Sequence, residues 1–313
     1  MQLAKLSSLN MLDLSGTKVS NEAAIRLQNL LPNCAVIHPA IHTSEADRRV
    51  AQWVIDHGGA VRIRRANGTE LERLTDKVVP DAPFMVQSVD LNMDPSLTTG
   101  LENLAGLRGL KYLNWPEISN ADSQFSFLGK FRSLRTINIG HSDASASGVK
   151  NLINLELAEE LYLNDGKNLS DEAILHLASL KHLLFLKLSG TSITDEALLH
   201  LGVLQGLRDL YLDSCPNLTG GGLAHLKALP NLHILSLVET PLTNDAIPHL
   251  QKMKNLRILN LTRTKLTADA ISRLQAALPD CVIFHESLEN EPWQGSPQQS
   301  LAVSKGAYQR SAP

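Results

Sequence analysis

Two hydrophobic periods alternate along this chain. Apolar pairs separated by one residue recur at Val89/Leu91, Leu113/Trp115, Ile137/Ile139, Leu161/Leu163, Leu186/Leu188, Leu210/Leu212, Leu235/Leu237 and Leu259/Leu261, with starts 24 or 25 residues apart. Each pair alternates as a short strand does, one side chain inward and the next outward. The residues that follow switch to helical spacing, with Ala173, Ile174 and Leu177, or Ala197, Leu198 and Leu201, forming an apolar stripe. The copies LKLSGTSITDEALLHLGVLQGL, from Leu186, and LSLVETPLTNDAIPHLQKMKNL, from Leu235, show the template. Each unit predicts one strand and one short helix.

Start signals precede the helices: Ser170-Asp171-Glu172, Thr194-Asp195-Glu196, Thr243-Asn244-Asp245 and Thr267-Ala268-Asp269. A hydroxyl at the N-cap accepts an unpaired amide, and acids in the first turn suit the positive helix end. One such unit cannot bury its own apolar face, whereas stacked copies share a continuous leucine core. The expected fold is therefore α/β, a solenoid curved into a horseshoe. Parallel strands line its concave face, and the wider helices lie on the convex face.

The ends of the array are also legible. Residues 45–59, EADRRVAQWVIDHGG, read as an amphipathic cap helix with Val50, Trp53 and Val54 on its apolar side, stopped by Gly58-Gly59 before strand-like Val61-Arg62-Ile63. At the other end LPDCVIFH, from Leu278, replaces the next repeat with a closing strand. The same phrase occurs early, as LPNCAVIH from Leu31. Residues 1–40 are thus expected to be the end of a preceding array, 41–85 the cap helix and first strand of the main array, and 86–285 the main array with its closing strand. Residues 286–313, rich in Pro, Gln, Ser and Gly, are expected to be a disordered tail. Either residues 1–40 pack against the cap helix, or Met1 is an internal start within a longer polypeptide. The second is the preferred expectation.

Composition narrows the function classes. A net charge of -3 gives no basic field for nucleic acid or anionic membranes, so neither is expected as a partner. No apolar run of 18 or more residues and no secretory signal is visible, and cytoplasmic residence is the expectation. Cys34, Cys215 and Cys281 are too scattered for a disulfide framework or a zinc site. Cys34 and Cys281 occupy core positions, and Cys215 lacks the basic neighbour that would activate a thiol.

The pattern LxxLxxLxLxxT-x-[IL]-[TS]-[DN]-[DE]-A-[IL]-x-H-L, from about Leu161 to Leu274, resembles the leucine-rich-repeat superfamily. In particular it is similar to the short-helix bacterial arrays of F-box-associated repeat proteins. RRVAQWVIDHGGAVRI looks like a cap from planctomycete-type repeat families, some of whose members join such arrays to protein kinase domains. The resemblance covers about residues 1–285 and implies the solenoid fold. It transfers no catalysis: no F-box precedes Leu6, and no kinase Gly-rich loop, HRD or DFG motif occurs.

Candidate chemistry is sparse. His176, His200, His225 and His249 form a column at repeat spacing, read here as repeat consensus because no carboxylate or cysteine column completes a metal site. Thr219-Gly220-Gly221-Gly222 lacks the Lys-Ser/Thr pair of a phosphate loop and reads as a permissive turn and weak helix start. No catalytic residues, cofactor or metal are assigned.

The functional signal is aromatic. Of four tyrosines, Tyr112, Tyr162 and Tyr211 flank strand leucines, and Phe185 joins them. Large rings with polar tips anchor interfaces. Together with Lys187, Asp209 and Asp213 they make the candidate partner-binding set. The expected function is a non-catalytic, monomeric scaffold that holds a protein partner on the concave face. The alternative is the recognition portion of a larger enzyme or signalling protein.

Overall fold

The computed structural model describes residues 11–14, 17–31, 34–38, 45–65, 71–75, 78–82, 84–91 and 96–287. The expected tail beyond Ser287 lies outside the described residues.

A first unit, β1 (Met11–Asp13), α1 (Asn21–Leu30) and β2 (Ala35–Ile37), forms its own two-stranded parallel sheet around Leu14, Ala24, Leu31, Cys34 and Val36. The cap helix follows as α2 (Glu45–Asp56), then β3 (Ala60–Arg65), β4 (Leu71–Leu74) and β5 (Phe84–Asp90). The repeats supply β6 (Tyr112–Asn114), β7 (Thr136–Asn138), β8 (Glu160–Tyr162), β9 (Phe185–Lys187), β10 (Asp209–Tyr211), β11 (Ile234–Ser236), β12 (Ile258–Asn260) and β13 (Val282–Phe284). Between them lie α3 (Ala121–Leu128), α4 (Ala146–Val149), α5 (Asp171–Leu177), α6 (Asp195–Leu201), α7 (Leu223–Leu226), α8 (Ile247–Leu250) and α9 (Ala268–Ala277).

From β5 to β13 every strand pairs in parallel with the next, in one sheet whose order simply reverses the chain. The register aligns Val89, Leu113, Ile137, Leu161, Leu186, Leu210, Leu235, Leu259 and Ile283, all fully buried in one continuous core. The fold is a leucine-rich-repeat solenoid. Cys215 and Cys281 belong to that core and Cys34 to the smaller one, and burial pushes the Cys281 thiol up to about 12.

The start of the array differs from expectation. β3 is antiparallel to both β4 and β5, so Val61 belongs to a capping hairpin and not to the parallel ladder. Alternation of side chains reveals a strand but not its direction. Helix α2 spans Glu45–Asp56 with Val50 and Val54 buried, and the chain leaves it through Gly58 at φ 72.

N-cap residues sit where the Ser/Thr signals place them, yet only some make the expected bond. Thr194 and Thr267 accept from Glu196 N and Ala270 N, whereas Ser170 and Thr243 accept no such bond. The acids in the first turn have a second task. Asp122 accepts from the amides of Ser145 and Gly148, Asp171 from the amide and hydroxyl of Thr194, and Asp195 from the Thr219 hydroxyl and the amides of Gly220 and Gly221. Each carboxylate therefore binds the cap of the following repeat. The glycines after Thr219 serve this contact, because a Cβ on Gly222 would lie 2.3 Å from the Asp195 carbonyl oxygen. Asp195→Ala is expected to cost about 1–3 kcal/mol, the range for a charged acceptor lost from satisfied donors, read as a lower urea midpoint. An unchanged midpoint would show that these bonds do not hold the repeats together.

The strand-to-helix turn also repeats. Among the described residues Glu117, His141, Asp165, Ser214, Glu239 and Arg263 take left-handed backbone at this turn, and Gly190 fills the equivalent place in its repeat.

Candidate partner-binding face

With the central strand residue pointing into the core, its two flanking residues form columns on the concave face. Ser88, Tyr112, Thr136, Glu160, Phe185, Asp209, Ile234, Ile258 and Val282 align in one column. Asp90, Asn114, Asn138, Tyr162, Lys187, Tyr211, Ser236, Asn260 and Phe284 align in the other. All seven candidate residues lie on this face or at its rim, but their situations differ.

The rings zigzag between columns. Tyr162 packs diagonally on Phe185 with centroids 4.7 Å apart, and Phe185 on Tyr211 at 5.1 Å. With Ile234 and Ile258 they make a second apolar cluster on the opposite side of the sheet from the leucine core. Phe185 and Tyr211 are consequently buried, at 8% and 3% exposure, while Tyr162 and Tyr112 are half-buried. Facing outward and being accessible are separate properties, and the sequence shows only the first. Burial, then the charge of Glu160, raises the Tyr162 hydroxyl above its ordinary range, so it remains a protonated donor. Tyr112 is raised chiefly by burial as well.

Asp213 is occupied by its own neighbours. It accepts from the Ser189 hydroxyl at 3.3 Å, from the Ser236 hydroxyl, and from Val238 N at 3.0 Å, so its part is to tie three repeats together. Asp209 is half-buried, and burial raises its carboxyl against the opposing pull of Arg208 and His233. Lys187 forms no ion pair with any described residue. Toward the cap the second column becomes an amide ladder, in which Asn138 donates to Asn114 and Asn114 to Asp90.

Sequence reasoning missed the cationic end of this face. Arg62 and Arg64 on β3 face away from the buried Val61 and Ile63, and Lys111 and Arg135 precede the first column on β6 and β7. Lys111 is held below its usual range by burial and by the charges of Arg64 and Arg135. Arg135 pairs with Glu159, whereas Arg62, Arg64 and Lys111 have no carboxylate partner among the described residues. Beside them lies Gln87, the unpaired residue of a bulge in β5, with its buried amide nitrogen unbonded. The signal available in sequence was Arg62-x-Arg64-Arg65 in a strand of an acidic protein.

The histidine column falls on the last turns of α5 to α8, on the convex side. No group of three or more His, Cys, Asp or Glu among the described residues is arranged to hold a metal. The convex side also carries exposed apolar residues, Ile153, Leu175, Leu199 and Val203. No helix among the described residues is long and apolar enough to cross a membrane.

No protein-family model and no curated protein matches the chain. Solved structures similar to it include an internalin, InlF, from Listeria monocytogenes, at 20% identity over 62% of this chain and 58% of that one, with a TM-score of 0.47. Internalin C2 from the same organism is 22% identical over 54% of this chain and 66% of its own, with a TM-score of 0.42. A TLR13–ssRNA13 complex is 20% identical over 60% of this chain and 31% of that chain, with a TM-score of 0.44. The chain spans between about a third and two thirds of the length of these solved chains.

Proposed function

We propose that this chain is a non-catalytic scaffold that recognises a partner protein through the concave strand face. The observation that carries the reading is the ring zigzag of Tyr162, Phe185 and Tyr211. In a chain with only 4% aromatic residues, these rings gather at the middle of one sheet face. Rigid rings bury large area at little entropic cost, and the accessible edge of this cluster is Tyr162. Arg62, Arg64 and Lys111, which have no carboxylate partner among the described residues, add positive charge at the cap end, which suits a partner whose contacting surface has acidic side chains there.

Photo-crosslinking tests the choice of face. A benzophenone amino acid at position 112, 136 or 162 is expected to capture the partner, and one at 175 or 199 on the convex side is not. Capture from the convex positions alone would overturn the reading.

We further propose that residues 1–40 are the closing end of a separate array. Gln28 donates to the carbonyls of Leu31 and Cys34, and Gln275 donates in the same way to Leu278 and Cys281. The first unit thus repeats the hydrogen bonds of the closing turn at β13.

A further inference from the structure

Donors outnumber acceptors at the cap end of the concave face. Three buried side-chain polar atoms among the described residues have no hydrogen-bond partner, and two of them, Arg64 Nε and Gln87 Nε2, lie close together on β3 and β5. Arg64 pairs with Met85, and Gln87 is the extra residue that the bulge leaves without a partner on β3. The Gln87 carbonyl accepts from Lys111 N at 2.8 Å, so its backbone is satisfied. Its side-chain nitrogen, in a residue only 3% exposed, is not. Buried donors left unpaired cost stability and mark a place where a further acceptor belongs.

The charge around them is of one sign, although the chain as a whole carries -3. Arg73, Arg62, Ser88 and Tyr112 form one row across β4, β3, β5 and β6 on the concave side. Arg62 therefore stands directly opposite Arg73, a like-charge pair that is unfavourable until something neutralises it. Lys111, held low by burial and then by Arg64 and Arg135, lies within the field of the same group. The neighbouring acids are taken: Glu72 accepts two bonds from Arg65, at 2.6 and 2.9 Å, and Glu159 pairs with Arg135. Arg62, Arg64, Arg73 and Lys111 have no carboxylate partner among the described residues.

We propose that the β5 bulge, with Gln87 and these cations, is a binding site for a phosphate group. Three strand spacings, about 14 Å, separate β4 from β6, a span that long arginine and lysine side chains close from both sides. A phosphate dianion accepts at several oxygens at once, so it can take guanidinium forks, an ammonium and an amide together. A single carboxylate, with one charge and two oxygens, leaves most of this cluster unneutralised. Arg64 Nε and Gln87 Nε2 are shielded as they stand, and turning either toward an anion breaks no hydrogen bond of those nitrogens. Free phosphate and a phosphomonoester offer the same chemistry. The site stands apart from the concave-face reading above, since a free anion needs no protein partner.

Titration of the intact, isotope-labelled chain tests the site. The readout is the magnetic resonance of the Arg64 Nε–H and the Gln87 side-chain amide, with sodium chloride holding the ionic strength constant. Inorganic phosphate is expected to shift both along a saturating curve in about the millimolar range, with acetate at least about tenfold weaker. Phenyl phosphate separates the two sources. Binding as tight as that of inorganic phosphate assigns a phosphomonoester carried on a larger molecule, and binding of inorganic phosphate alone assigns the free anion. Arg64→Met and Gln87→Met, each read at the other residue, should abolish the saturating response. Arg62→Gln changes an exposed side chain, so the fold is kept while phosphate binds about tenfold more weakly. Shifts that rise linearly with phosphate, or acetate binding as tightly as phosphate, would defeat the proposal. So would an Arg62→Gln protein that binds phosphate as the parent does.

Discussion

Trp115→Ala lowers the stability of the array by about 3–5 kcal/mol, the range for deleting a large buried ring that leaves a cavity. Among the described residues Trp115 is the largest fully buried side chain, and it stands where other repeats carry leucine or isoleucine. Its indole nitrogen donates to the Leu97 carbonyl at 2.7 Å, and its ring meets Trp53 of α2 with centroids 5.9 Å apart. Gly100, at φ 118, lies beside both rings. The residue therefore seals the cap to the first repeat, and a solenoid without its cap exposes core leucines at the end. Two measurements check this. The urea midpoint should fall sharply, and exchange should accelerate in β5 and β6 more than in β10 to β12, because nearest-neighbour coupling keeps the damage local at first. Trp115→Phe should lose less, retaining the ring contact and leaving only the Leu97 carbonyl without its donor. A change below about 1 kcal/mol for the alanine variant would contradict a sealing role.

What could be read in the sequence follows from what a period encodes. The Leu-x-Leu spacing fixes both strand and register, because a slip of one residue would turn Leu186 and Leu210 out of the core. It says nothing of strand direction, so spacing alone cannot tell that β3 runs antiparallel to β5, and β4, with its mostly exposed LERL, carries no apolar alternation. The Ser/Thr-Asp signal located the helix starts, but a single-repeat argument assigns the acid to its own helix. The bond from Asp171 to Thr194 exists only because stacking brings positions 23 residues apart together. The same limit governs the site. Alternation placed Tyr162, Phe185 and Tyr211 outward, yet their burial comes from diagonal packing across strands. Asp213, placed by its spacing in the candidate partner-binding set, is held by Ser189 and Ser236 from adjacent repeats.

Those distinctions decide which residue tests binding. Tyr162 and Tyr211 look equivalent in sequence, both following a strand leucine. At 3% exposure Tyr211 is a packing residue, and Tyr211→Ala is expected to cost stability on the scale of a buried aromatic, about 3 kcal/mol or more. Loss of binding by that variant would then carry no information about contact. Tyr162 is half-buried, ends the row of rings, and stacks on one partner, Phe185. Tyr162→Ala should cost only about 1 kcal/mol of stability, one aromatic pair, while weakening the captured partner about 30-fold, the loss of a central anchor of about 2 kcal/mol. The hydroxyl separates two versions of the contact. Because burial and Glu160 keep it protonated, it acts as a donor throughout the ordinary pH range. Tyr162→Phe therefore retains most of the affinity if the ring face is what the partner meets, and loses as much as alanine if the donor is. Affinity of the crosslinked partner for the three proteins, with their urea midpoints alongside, settles the matter. A Tyr162→Ala protein that is well folded and binds within about threefold of the parent would remove the ring zigzag from the recognition surface.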